Sequence, residues 1–127
     1  MAKAPDEVVN LVKDWLAAGH RRDVEFITKH SHTEDENFVH TVASGPDGAL
    51  TLAQFLDHLR QYQPREVLVS DPQGFVHGDV AWIFDSPRVD LLDEGVIDAR
   101  FTAVLRRVDG DWKVVHAHLS EGVPHQP

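Results

Sequence analysis

The chain contains no cysteine, which excludes disulfides, thiol nucleophiles and thiolate metal sites and leaves the cytoplasm as the default expectation. No apolar run approaches the ~20 residues of a membrane span, and the opening MAKAPDEVV lacks the apolar region of a signal peptide. Basic residues are scarce: 12 Lys and Arg stand against 21 Asp and Glu, a net charge of −9. Without a basic stripe, neither nucleic acid nor an anionic membrane is an expected partner. There is no phosphate loop or dinucleotide fingerprint, and neither Ser44-Gly45 nor Ser120 sits in a nucleophile elbow. Tyrosine occurs once, at Tyr62. No repeat or linker divides the chain, so residues 1–127 read as one domain. What the chain does have is nine histidines, its one compositional hint of chemistry.

Residues 5–18 read as a helix with Pro5, Asp6 and Glu7 in its first turn, Gly19 as its exit, and a stripe of Val8, Leu11, Val12, Trp15 and Leu16. Asp23 caps a shorter helix that buries Val24, Phe26 and Ile27. His30–Asn37 reads as an acidic loop, Phe38–Ala43 as a short strand, and 44–48 as a turn. A third helix starts at the capping box Thr51…Gln54, carries Leu52, Phe55, Leu56 and Leu59, and ends before Pro64. The rest reads as sheet: a strand at 66–70, a turn at 71–74, and a strand at 79–85. Pro87 interrupts the last of these, and a hairpin of 96–107 and 112–120 closes the chain. Helices followed by an antiparallel meander imply an α+β domain.

The hairpin alternates on both strands. Trp112, Val114, His116, His118 and Ser120 share one side, and Lys113, Val115, Ala117 and Leu119 the other. Reading Val108-Asp109-Gly110 as a three-residue loop pairs Arg107 with Asp111, Arg106 with Trp112, Thr102 with His116 and Arg100 with His118. A two-residue Asp109-Gly110 loop shifts the register by one and mixes apolar with polar.

The element order, with Asp71-Pro72, Gly78-Asp79, Ala81, Leu92-Asp93, Phe101–Arg107, Asp109-Gly110, Trp112, Val115–His118, Ser120 and Pro124, resembles the nuclear transport factor 2-like superfamily. Within it the sequence is most similar to SnoaL-like domains and to the association domain of calcium/calmodulin-dependent kinase. The resemblance implies a cystatin-like roll, a cone-shaped curved antiparallel sheet wrapped around three N-terminal helices. It also implies a pocket on the concave face and a homodimer through the other face. Where the kinase association domain has two pocket arginines, this chain has Ala103 and Leu119, which implies a more apolar pocket. Ketosteroid isomerases of this fold use a carboxylate base with a tyrosine and a protonated aspartate, and Tyr62 does not match that tyrosine. Of the Asp–Arg–Asp set of limonene-epoxide hydrolases, Asp98 and Arg100 supply half.

Three candidate sites follow. Asp98, Arg100, His116 and His118 are a catalytic relay with His118 as base; alternatively Thr102, Arg106, Trp112, His116, His118 and Ser120 are a dimer-interface network. The pocket candidates are Trp15, Phe55, Phe101, Ala103 and Leu119, with Phe26 and Leu56 beside them and His40 or His58 as polar contact, around a small apolar ligand. His116-x-His118 with Glu121 imitates a cupin metal motif, and His30, His32, Glu34 and Asp35 form a second weak cluster. Neither has the context of a metal site, so no metal and no cofactor are expected.

Overall fold

The stripe Val8, Val12, Trp15 and Leu16 is buried on one side of helix α1, Asp6–Arg21. The helix runs past Gly19, whose missing side chain lets Ile27 and Phe55 approach within 4.0 Å of where a Cβ would stand. The left-handed exit falls instead at Arg22, with φ 65°, whose N–H turns back to Ala18 and Gly19. Asp23 caps α2, Val24–Lys29, by accepting from the Phe26 amide at 3.1 Å. Thr51 and Gln54 form the reciprocal capping box of α3, Leu52–Gln61. These details come from a computed structural model that describes residues 1–123. Pro124, one of the residues carrying the resemblance, lies outside them.

The helices cover one face of a curved α+β sheet. Its strands are β1 (Ala2–Lys3), β2 (Thr41–Val42), β3 (Ala49–Leu50), β4 (Glu66–Val69), β5 (Gln73–His77), β6 (Val80–Asp85), β7 (Arg88–Asp90), β8 (Val96–Val108) and β9 (Asp111–Glu121). They run in the order β1-β5-β6-β8-β9-β2-β3, and β4 pairs with β7, which pairs with the start of β8. Between β7 and β8 lies a 3₁₀ turn, Leu92–Glu94. The ladders are antiparallel except β2 with β9, which is parallel. Gln73 and Gly74, expected in a turn, begin β5 instead. A Cβ on Gly74 would stand 2.0 Å from the Trp82 carbonyl, so the glycine marks a close backbone approach rather than a bend. At the end of β6, buried Asp85 accepts from Ser70 Oγ at 2.6 Å and the Asp71 amide at 3.1 Å, holding that turn against the sheet.

The expected hairpin register is corrected. Asp109 and Gly110 both have positive φ, 51° and 87°, so the loop has two residues and Val108 pairs with Asp111. Leu105 then faces Val114, but Val104 faces His116, so Val115 is an extra residue on β9. The bulge resolves the mixing that burial forbids. Before it, Trp112 and Val114 point into the core; after it, Ala117 and Leu119 do, opposite Ala103 and Phe101. Trp112, expected on the outer face with Arg106, is therefore a core residue, 8% exposed, with the Arg107 guanidinium 4.7 Å over its ring.

The Val114 carbonyl at the bulge accepts from the His32 amide at 2.9 Å and from His40 Nε2 at 2.9 Å. Since a carbonyl only accepts, Nε2 carries the proton, and the neutral Nδ1 accepts from Thr41 Oγ1 at 2.8 Å. His40 is fully buried, and burial pushes its pKa down.

Candidate functional site

Between the helices and the concave face lies a cavity of about 360 Å³. Trp15 from α1 lines it, stacked on Phe55 of α3 at 5.8 Å and on Phe101 of β8 at 6.1 Å. Leu119 of β9, Leu16, Leu59, Val89 and Ile97 complete an apolar wall. Four of the expected pocket residues, Trp15, Phe55, Phe101 and Leu119, thus line the cavity. His40 and Ala103 do not: both are fully buried, His40 beside the β9 bulge and Ala103 within the sheet's core face. Phe26 and Leu56 are also outside the lining, whereas His58 is part of it.

The mouth of the cavity is polar. His20, Arg22, His58, Tyr62, Arg65 and Glu94 line it together. The chain brings them there by continuing two helical stripes: Leu16 to His20 is one turn of α1, and Phe55, His58 and Tyr62 follow one side of α3. Arg65 is tied in by its amide, which donates to the His20 carbonyl at 2.7 Å. His20 Nδ1 donates to the Leu16 carbonyl at 2.9 Å, which leaves Nε2 as the acceptor nitrogen of the neutral ring. Among the described residues no buried side-chain nitrogen or oxygen lacks a partner, so Nε2 reaches accessible space. Burial lowers the His20 pKa, the Leu16 bond opposes that, and Arg22 and Arg65 lower it further. His58 is lowered by burial and then by the same two arginines. Its ring lies 4.5 Å from that of Tyr62, and the Arg22 guanidinium sits 5.9 Å from the Tyr62 ring centre.

The second hollow lies on the opposite, outer face and is lined by Arg100, Thr102, His116, His118 and Ser120. Three of the relay candidates do gather here, but the relay is not assembled. The Asp98 carboxylate takes Arg88 Nε at 3.1 Å, and Arg100 Nη1 donates to the Ala99 carbonyl at 3.1 Å. His118 stands exposed on the ladder opposite Thr102. Along the same face Phe75, Trp82 and Phe84 remain 46%, 37% and 44% exposed, an apolar band beside the polar row. Arg106 lies on this face and pairs with Glu34.

No group of three or more His, Asp or Glu among the described residues is arranged to hold a metal. The His30 ring lies tilted against that of Phe26, with centroids 4.3 Å apart, and His32 lies 3.6 Å from Glu34.

A family model described as a SnoaL-like domain matches residues 8–125. The chain belongs to the SnoaL-like domain family. No curated protein matches the sequence. Among solved structures, a SnoaL-like chain of this shape superposes on an NTF2-like protein with a cystatin-like fold from Novosphingobium aromaticivorans, with TM-score 0.71, 13% identity, and 92% and 80% of the two chains covered. A candidate ketosteroid isomerase from Parabacteroides distasonis gives 0.69 at 23% identity, over 94% and 89%. The association domain of C. elegans CaMKII gives 0.64 at 18% identity, over 90% and 92%. At these identities the matches establish the shared fold.

Proposed function

We propose that this SnoaL-like domain is a homodimer that binds a small, largely apolar organic molecule in the cavity between α1, α3 and the sheet. The observation that carries this reading is the aromatic wall: Trp15 stacked between Phe55 and Phe101 around a space of about 360 Å³. Apolar surroundings with a few convergent polar groups are the usual makeup of a ligand site. The exposed band Phe75, Trp82 and Phe84, flanked by Thr102, His116 and His118, supports a partner on the outer face. A second copy of this chain is that partner, a reading supported by the structural likeness to a domain named for association, that of C. elegans CaMKII.

A catalytic reading draws its support from His20. It is neutral near pH 7, its tautomer is fixed by the Leu16 carbonyl, and the residue belongs to the cavity lining. Those are the properties of a general base for proton abstraction or for activating water. On this reading the base is His20 in the cavity, and the outer His118 has no such role.

Indole tests the site. Saturation-transfer NMR should show indole bound to the wild type and released in Leu119→Trp, whose larger ring fills the cavity. Indole ignoring the wild type, or binding Leu119→Trp equally well, would sink the cavity as a ligand site.

A further inference from the structure

The cavity mouth places two arginines together in a chain whose net charge is −9. Neither guanidinium is fully used. Arg22 donates from Nε to the Gln63 carbonyl at 3.0 Å and weakly from Nη1 to the Gly19 carbonyl at 3.4 Å. Arg65 is tighter in the fold, with its side chain 29% exposed, yet its guanidinium makes no hydrogen bond among the described residues. Its nearest carboxylate, Glu94, stands 4.0 Å away on a side chain that is 69% exposed. The other carboxylate of the lining, Glu121 on β9, is also exposed.

Two adjacent, partly dehydrated guanidiniums with spare donors repel each other, and an anion between them removes that repulsion. Each guanidinium fork matches a planar carboxylate bidentately. We propose that the cavity's ligand is a small amphiphilic acid, its carboxylate held at the mouth by Arg65 and Arg22 and its apolar body stacked on Trp15, Phe55 and Phe101. The inference rests on the cavity being a ligand site and adds the chemical class of what enters it.

His20 and His58 respond to the same charge. Arg22 and Arg65 disfavour their protonated forms, so a carboxylate bound among these groups raises the titration midpoints of both rings. Tyr62, Glu94 and Glu121 also face this space and are held constant between the probes.

The probes are 3-phenylpropanoate and its near-isosteric amide, 3-phenylpropanamide, titrated calorimetrically into the wild type, Arg65→Gln and Leu119→Trp. The acid should bind the wild type at least tenfold more tightly than the amide. Arg65→Gln should bring the acid down to the level of the amide and leave the amide and indole unchanged, which also shows that the variant is folded. Leu119→Trp should block both, and NMR of the wild type should show the His20 and His58 midpoints rising with the acid only. Equal binding of acid and amide to the wild type overturns the carboxylate subsite while leaving the cavity standing, and so does an Arg65→Gln variant that retains the preference. Failure of indole, acid and amide alike overturns the cavity and the subsite together.

Discussion

The two faces of the sheet are made by the same strands and carry the same residue type, histidine, with opposite consequences. On the inner side His40 spends both nitrogens on the protein, on the Val114 carbonyl and the Thr41 hydroxyl. His20, which lines the cavity, spends only one nitrogen on the protein, on the Leu16 carbonyl. On the outer side His116 and His118 line an open hollow. Volume does not separate the two hollows, since both measure about 360 Å³; their walls do. The inner one is walled by the aromatic stack of Trp15, Phe55 and Phe101, and the outer one by the ladder residues Arg100, Thr102, His116, His118 and Ser120. A histidine's chemistry here follows from the face it occupies, and for His116 and His118 that face is set by one extra residue in β9.

Exchanging the two faces beyond the bulge is the largest perturbation of this contrast. The variant carries Ala117→His, His118→Ala, Leu119→Ser and Ser120→Leu together, which is the pattern an unbulged strand would need to bury Ala and Leu beside Trp112 and Val114. With the bulge in place, its His and Ser side chains point toward the core while Ala and Leu point outward. Buried polar groups without partners cost about 1–3 kcal/mol each, and the core also loses the Leu119 side chain. The summed loss reaches the 5 kcal/mol or so that marks the lower end of a domain's stability. This variant should therefore show no cooperative urea transition. A folded variant with native circular dichroism would mean that the bulge does not specify which face each residue takes.

Neighbouring strands allow a narrower comparison. Phe101 on β8 is 2% exposed and stacks on Trp15; Phe84 on β6 is 44% exposed on the other face. Phe101→Ala should cost about 3–5 kcal/mol in urea unfolding, the usual loss for a buried aromatic. Phe84→Arg should change monomer stability by no more than about 0.5 kcal/mol, yet convert the sedimenting species from twice 14.3 kDa to 14.3 kDa. A wild type that already sediments as a monomer would remove the outer face's assigned role.

Much of this was legible in the sequence, for identifiable reasons. The capping box at Thr51, the Asp23 cap and the stripe through Trp15 are local signals with local causes; both caps form as read, and of the stripe only Leu11 is half-buried rather than buried. The SnoaL-like membership was readable from motifs concentrated in the last third. The hairpin register was not, because it requires two facts at once: Asp109 accepting positive φ, and a bulge six residues later. Strict alternation hides a bulge, since one inserted residue exchanges the two periodic sets midway. The polar mouth was missed for another reason. His20, Tyr62 and Arg65 are individually unremarkable at helix ends, and only the pairing of the Arg65 amide with the His20 carbonyl brings them together.

The smallest expected effect distinguishes the inner histidines by pH. His40 has its folded pKa pushed below the ordinary value, mainly by burial, with the Val114 bond opposing and His116 and His32 adding to the depression. The unfolded chain, titrating near 6.5, therefore takes up the proton first as pH falls. Below that point the unfolded state binds more protons, so stability drops with falling pH and is fully present above it. His20, His30 and His58 are lowered as well and act in the same direction. For His40 alone the slope cannot exceed about 1.4 kcal/mol per pH unit. Urea unfolding of the wild type at pH 7 and pH 5.5 should show the loss, and His40→Gln should show less of it, from a lower starting stability. Equal pH dependence in the two proteins would mean that His40 is not held neutral by the bulge it supports.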